Sequence, residues 1–330
     1  MSRRGDYEDG YDEERRRGSR YPDDYGTDGY GSGGKRKKSG AGSVISTIVL
    51  IIAIGVFAYS GYRLYSYWRE YKAGQDEYSD LNKDYVRIDP ETGAAQDTED
   101  GGVILTSVEE LENEKTLQEK IDSAKKEETE ENSELKVLPE MRNPVDFDEL
   151  LAINEEVVGW IRVGGCGISY PVVQADNNDY YLHRTFRREE VFSGSIFENC
   201  DNSKYFTDQN TILYGHNMKD GSMFASLRKF WEDPDAISNP YFWVFTPKFI
   251  YQYRIFSCSV VSKIGDPYRV RFSTDDFRNF IDTSKKATEV DVGDVNVTTD
   301  DRIVTLSTCT GDDATRRIVQ GKLIQVYIAK

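Results

Sequence analysis

Between Lys38 and Arg63 the chain carries no charged side chain, and Val44–Tyr62 within that gap reads VISTIVLIIAIGVFAYSGY. As a helix these 19 residues span roughly 28 Å, about one hydrocarbon core. In lipid only a helix or a closed barrel satisfies its own backbone, so this segment is expected to cross a membrane as a helix. Ser46, Thr47, Gly55 and Ser60 are tolerable there, and Tyr59, Tyr62, Tyr65, Tyr67 and Trp68 form an interfacial aromatic belt at its far end. A cleaved signal peptide has an apolar run of only about 7–15 residues and a small-residue cleavage site. This run is longer and no A-x-A site follows, so an uncleaved anchor is expected. The cluster Lys35-Arg36-Lys37-Lys38 puts the N-terminal side in the cytoplasm and everything after Tyr62 outside.

The anchor divides the chain into four expected parts: a tail over 1–42, the transmembrane helix over 43–65, an acidic stalk over 66–143 and a folded domain over 144–330. The tail is built of Gly, Tyr, Asp and Arg with few aliphatics, cannot bury a core, and is expected to be disordered. Residues 73–143 hold 21 Asp/Glu against 8 Lys/Arg, a net of −13 out of a formal −16 for the chain. Charge so localised suits a solvated spacer that lifts a domain off an anionic surface. No basic patch is left to recruit nucleic acid. Ser107 with Glu110 is a capping-box pattern that opens a helix-favouring run to about Glu131. Four cysteines follow the anchor, Cys166, Cys200, Cys258 and Cys309, without a disulfide-framework spacing, and all four are expected reduced. No CxxC or histidine cluster calls for a metal, and no cofactor is expected.

The folded part opens at Asn143-Pro144. Asp146 with Glu149 is a second capping-box pattern, ahead of an apolar face of Phe147, Leu150, Leu151 and Ile153. Short strand patterns then alternate with Gly, Asn and Asp turns: Trp160–Val163, Ile168–Val173, Ser195–Phe197, Thr211–Tyr214, Tyr241–Thr246, Phe249–Ser262, Arg302–Ser307 and Ile318–Ala329. Met223–Trp231 and Asp275–Lys286 read as helices. Many short strands with few helices argue for a closed β-barrel or a sandwich.

Cys309 ends one of these strands within Thr305-Leu306-Ser307-Thr308-Cys309. Arg317 opens the next, and His216, one of two histidines, lies far upstream in Tyr214-Gly215-His216-Asn217. A thiol becomes a nucleophile beside a charge-stabilising group, a histidine moves protons, and a permanently charged guanidinium stabilises an acyl-transfer oxyanion. Side chains alternate along a strand, so only one of Arg316 and Arg317 can face Cys309.

With these residues in this order, the chain from about Asn143 to Lys330 resembles a sortase. Further phrases resemble the class B branch: Phe147–Leu151, Val158–Ile161, Tyr170–Gln174, Asn178–Leu182, Gly194–Phe197 and His216–Phe224. The resemblance implies a mainly β fold: a closed eight-stranded sortase-type β-barrel with N-terminal helices and a helix in the long connection before the cysteine strand. It implies a membrane-anchored cysteine transpeptidase that cleaves a C-terminal sorting signal after threonine through a Cys thioester. The carried surface protein then passes to the amine of a lipid-linked cell-wall precursor. By the same resemblance Cys309 is the nucleophile, His216 the proton carrier, and Arg317, placed directly before the apolar run, the cation. Asn178, Leu182, Ser307, Thr308 and Tyr268 would line the peptide groove. His183 reads as a surface or groove residue, and Asp312 and Asp313 as a solvated turn.

The alternatives are a pilin polymerase of the same fold using a lysine amine, and a catalytically inactive surface-binding module. The order histidine before cysteine is the reverse of a papain-like hydrolase, and the His-Gly-Cys cluster of an L,D-transpeptidase is absent from the sequence.

Overall fold

The structure is a computed structural model that describes residues 41–87, 102–105, 136–312 and 314–330. The tail up to Gly40, the capping-box run from Ser107 to Glu131, and Asp313 lie outside these residues.

Helix α1 runs over Ala41–Tyr85. Val44–Tyr65 is exposed all along. Lower down, one face becomes buried: Tyr71, Gly74, Tyr78, Leu81 and Tyr85 are partly or fully covered, at alternating steps of three and four residues. That spacing aligns them on one side of a helix. Tyr78 donates to the Gly194 carbonyl at 2.7 Å, and Asn82 Nδ2 donates to the Ser169 carbonyl at 2.9 Å. The first part of the stretch expected as a partly helical, solvated spacer is thus a docked helix, because its apolar residues, though sparse and interrupted by charge, share one face.

Ten strands follow: β1 Gly102–Leu105, β2 Lys136–Met141, β3 Val157–Val163, β4 Ile168–Val173, β5 Ile196–Glu198, β6 Asn210–Tyr214, β7 Tyr241–Phe245, β8 Phe249–Ser262, β9 Ile303–Cys309 and β10 Thr315–Ala329. Eight of them close in the order β10-β8-β7-β3-β4-β5-β6-β9, with β9 returning to β10. The β4–β5 and β6–β9 pairs are parallel and the other barrel pairs antiparallel. Outside the barrel, β2 runs parallel to the end of β10, and β1 pairs antiparallel with β2. The result is the closed eight-stranded, mainly β barrel that the resemblance implied, with two further strands, β1 and β2, outside it.

The core on the two faces of the barrel sheet includes Trp160, Ile161, Phe242, Phe245, Tyr253, Leu306 and Val319, all fully buried. Each large apolar side chain so covered contributes about 1.5–3 kcal/mol. Strand β10 bends at an irregularity between Gln320 and Gly321. A Cβ at Gly321 would lie 2.2 Å from Cε1 of Phe242, so only glycine lets the strand come this close.

The short helix α2, Phe147–Ile153, starts as expected: the Asp146 side chain accepts from Glu149 N at 3.2 Å. The expected Met223–Trp231 helix is a 3-10 turn, Phe224–Arg228, running into α3, Lys229–Glu232, with α4 at Pro234–Ser238. Between β8 and β9 lies α5, Thr274–Ala287, capped by Ser273. Its Phe277, Phe280, Ile281 and Ser284 recur at helical spacing and are buried; the first three pack with Phe256 of β8 and Ile303 of β9. The four cysteines are free.

Candidate active site

Strand β9 lies between β6 and β10, so its backbone is hydrogen-bonded on both sides up to its last residues. Cys309 closes the strand, partly exposed. A nucleophile at this point is held by two ladders yet open at its tip. Alternation puts Thr305, Ser307 and Cys309 on one face and Val304, Leu306 and Thr308 on the other, where Val304 and Leu306 join the barrel core.

The register of β9 against β10 decides between the two arginines. Arg316 is directly opposite Cys309, and Arg317 directly opposite Thr308. Directly opposed residues of an antiparallel pair share a face. Arg316 thus stands on the Cys309 side, with its Nη1 donating to the Thr315 carbonyl at 2.8 Å. Arg317 turns to the other face, its guanidinium 5.1 Å from the ring centroid of Trp231, a cation–π contact. The register thus sets Arg316, the first of the pair, on the Cys309 side, where Arg317 was expected. Thr308 follows the same parity. Its side chain is 2 % exposed and belongs to the Arg317 face, so it does not line a groove beside Cys309.

His216 reaches the site by a parallel route. Tyr214 of β6 is in register with Ser307 of β9, and Gly215 N donates to the Ser307 carbonyl at 3.1 Å, one step past the strand. His216 then lies two residues beyond Tyr214, as Cys309 lies two beyond Ser307. Gly215 is required here, since a Cβ would sit 2.4 Å from Ile196 Cδ1 and 2.7 Å from Phe224 Cγ. His216 Nε2 is 2.8 Å from the Leu182 carbonyl oxygen. A carbonyl only accepts, so Nε2 carries a proton and Nδ1 is the basic nitrogen of the neutral ring. Burial pushes the His216 pKa down from the ordinary imidazole value; the Leu182 carbonyl works against this and His183 adds to it. The ring is neutral near pH 7.

The remaining expected residues fall into two groups. Tyr268 and Ser307 meet at the site, their hydroxyl oxygens 3.0 Å apart. Burial raises the Tyr268 pKa; the Ser307 hydrogen bond and the Arg316 charge oppose this, and Cys309 adds to it. Through Ser307 the Tyr268 hydroxyl is tied to the face of β9 that also carries Cys309. Leu182 contributes its backbone carbonyl to His216. Asn178 is one step removed: its Oδ1 accepts from Cys200 N at 2.9 Å and ties down the loop after β5.

Three more residues lie at the site, of which only His183, read as a surface or groove residue, was singled out in the sequence. Tyr214 stacks on Tyr268 with centroids 6.2 Å apart and planes 10° from parallel. His183 stacks on His216 at 5.6 Å and 29°. Phe192, 61 % exposed, lies 5.7 Å from the His216 ring. The Tyr-rich turn at 180–183 marked His183, and nothing in the sequence marked Phe192.

The fold and sequence have counterparts among known proteins. The sortase-domain family model matches residues 161–324. Sortase B of Listeria monocytogenes is 36% identical over 221 residues, covering 65% of this chain and 88% of the relative. Sortase B of Staphylococcus aureus is 37% identical over 190 residues, covering 54% and 75%. The crystal structure of Staphylococcus aureus sortase B superposes with a TM-score of 0.52 at 33% identity, covering 56% of this chain and 88% of that one. A cysteine ending a doubly paired strand, an arginine opposite it and a histidine carried beside it by a parallel strand thus sit on a barrel shared with these relatives. The chain belongs to the sortase family, on its class B branch, and is a cysteine transpeptidase.

Proposed function

We propose that the protein is a membrane-anchored class B sortase that cuts a sorting signal after threonine and passes the acylated protein to an amine of a cell-wall precursor. The observation that carries this reading is the shared face of Cys309 and Arg316, with His216 two residues past the end of β6, the strand in parallel register with β9. His216 takes the thiol proton at Nδ1 as Cys309 Sγ attacks the threonine carbonyl carbon. Arg316 stabilises the oxyanion, which in a site partly withdrawn from water responds strongly to a fixed cation. The C–N bond then breaks, the imidazolium gives its proton to the leaving amide nitrogen, and a thioester remains. An incoming amine gives a proton to His216 as it attacks, and Cys309 leaves with that proton restored.

Tyr268 and Ser307 form the floor on the Cys309 face, with Asn178 and Leu182 at its rim. Val44–Tyr62 anchors the chain, with Lys35–Lys38 on the cytoplasmic side and the barrel outside, where sorting signals and wall precursors are found.

The test uses the full chain in detergent micelles, a pool of threonine-containing pentapeptides led by asparagine or proline, and mass spectrometry of the enzyme. A Cys309 acyl adduct is expected, and it is lost in Cys309→Ala. Absence of any adduct across the pool overturns the reading. Arg316→Ala is expected to lower kcat/KM by about 10²–10³-fold, with Arg317→Ala far milder; the reverse order removes Arg316 from the oxyanion. Offering a stem-peptide amine and a lysine side-chain amine in parallel separates wall attachment from pilin polymerisation.

A further inference from the structure

The loop that carries His216 is a closed hairpin whose tip touches α1. Its base is fastened by Phe224 N donating to the His216 carbonyl at 3.1 Å and by a bridge between Asn217 and Met223. At the tip, Asp220 Oδ1 accepts from Ser222 N at 2.9 Å and from Ser222 Oγ at 2.7 Å. The other carboxylate oxygen, Oδ2, accepts from Gln75 Nε2 of α1, and Asp220 N donates to the Tyr71 hydroxyl of α1 at 3.0 Å. Near the return limb, Met223 N donates to the Tyr170 hydroxyl at 3.0 Å, and Met223 has φ of +56°, a left-handed conformation that a methionine keeps only when its neighbours impose it. The Tyr170 ring in turn packs edge-on against Tyr78 of α1 at 5.3 Å.

Helix and loop are not pressed together along this contact. A cavity of about 340 Å³ lies between them, lined among others by Tyr71, Gln75, Tyr170, Met218, Ser222 and Met223. Where side chains do not fill the space, polar bonds at the tip hold the loop. From this geometry we infer that Tyr71 and Gln75 of α1 are positioning residues for the transpeptidation site: they clamp Asp220 and thereby fix the hairpin that aims His216 at Cys309. The helix that emerges from the anchor segment is a working part of the catalytic apparatus. This inference rests on His216 being the proton carrier.

Misplacing a catalytic group by an ångström costs up to ~10²-fold in rate. The test again uses the full chain in detergent micelles, with the pentapeptide that the wild type cleaves fastest. Tyr71→Phe removes one hydroxyl, and Gln75→Glu sets a carboxylate against Asp220 on the surface, where folding tolerates it. Both are expected to lower kcat about tenfold, with KM for the peptide and Tm unchanged. The conservative repair is the double variant Gln75→Glu, Asp220→Asn, in which the new amide donates to the new carboxylate and Ser222 keeps its acceptor; it is expected to recover most of kcat. Wild-type kcat in Gln75→Glu, or no recovery in the double variant, overturns the inference. Loss of activity together with a fall in Tm in both single variants also overturns it, because the contact is then structural only. Failure of the wild type to acylate is a separate result that sinks the functional reading beneath it.

Discussion

Glu198 is the residue whose environment departs furthest from what a sequence pattern suggests. It sits on β5 opposite Leu213, 1 % exposed, and neither carboxylate oxygen has a hydrogen-bond partner among the described residues. Burial pushes its pKa well above the ordinary carboxyl value, and the nearby Asp208 charge pushes the same way. The folded protein therefore keeps a proton that the unfolded chain releases above about pH 4.3. The native state binds more protons, so stability is full below the unfolded pKa and falls by up to about 1.4 kcal/mol per pH unit until the folded pKa is reached. Glu198→Gln is expected to melt above the wild type at pH 7–8, with the gap closing near pH 4, by calorimetry across that range; a gap that widens toward acid contradicts the assignment. At this scale the cysteine and the histidine of the proposed mechanism stand out in the sequence because short strand-end motifs carry them. The arginine that shares the cysteine's face does not. Its face depends on the register across the Cys309–Thr315 connection, and a list of residues does not reveal where a hairpin turns.

Among the elements, β10 shows how a long strand is made to follow a closed barrel. It pairs with β8 along nearly its whole length, with β9 over its first half and with β2 at its end. The bend it needs lies at Gly321, pressed against the Phe242 ring, which is itself stacked on Tyr253 at 4.9 Å and 8°. Phe242 cannot retreat without displacing Tyr253. Gly321→Ala is expected to cost about 1–3 kcal/mol by overpacking, read as a lower denaturant midpoint at unchanged slope; an unchanged midpoint shows that the stack yields. Strands and the α5 helix were readable from alternation and from the 277/280/281/284 spacing. The docked half of α1 was not, since Tyr71, Tyr78 and Leu81 are separated by acidic residues that lower the mean hydropathy without moving the apolar face.

For the whole molecule, the folded unit extends beyond the boundary at Pro144 that composition indicates. Asp146 N donates to the Tyr85 carbonyl at 2.9 Å, Arg87 N to Pro144 at 2.8 Å, and Lys330 N to Met141 at 3.0 Å. A chain beginning at residue 144 uncovers the end of β10 and the apolar ground beneath Tyr78 and Leu81, and an uncovered strand edge invites pairing with another copy. The 59–330 chain is expected to be monomeric by light scattering and to melt several degrees above the 144–330 chain; equal melting temperatures would show that α1 and β2 only decorate the barrel. The strand order also sets a sequence of events. Six of the eight barrel strands precede residue 303, and β9 and β10 are the two that close the ring. A chain of which only β3–β8 are in place has an open sheet, and neither Cys309 nor the Arg316 guanidinium has yet been added to it. Closing the barrel brings both into register in one step, so the pairing of thiol and guanidinium first exists on a protein that has finished folding around it.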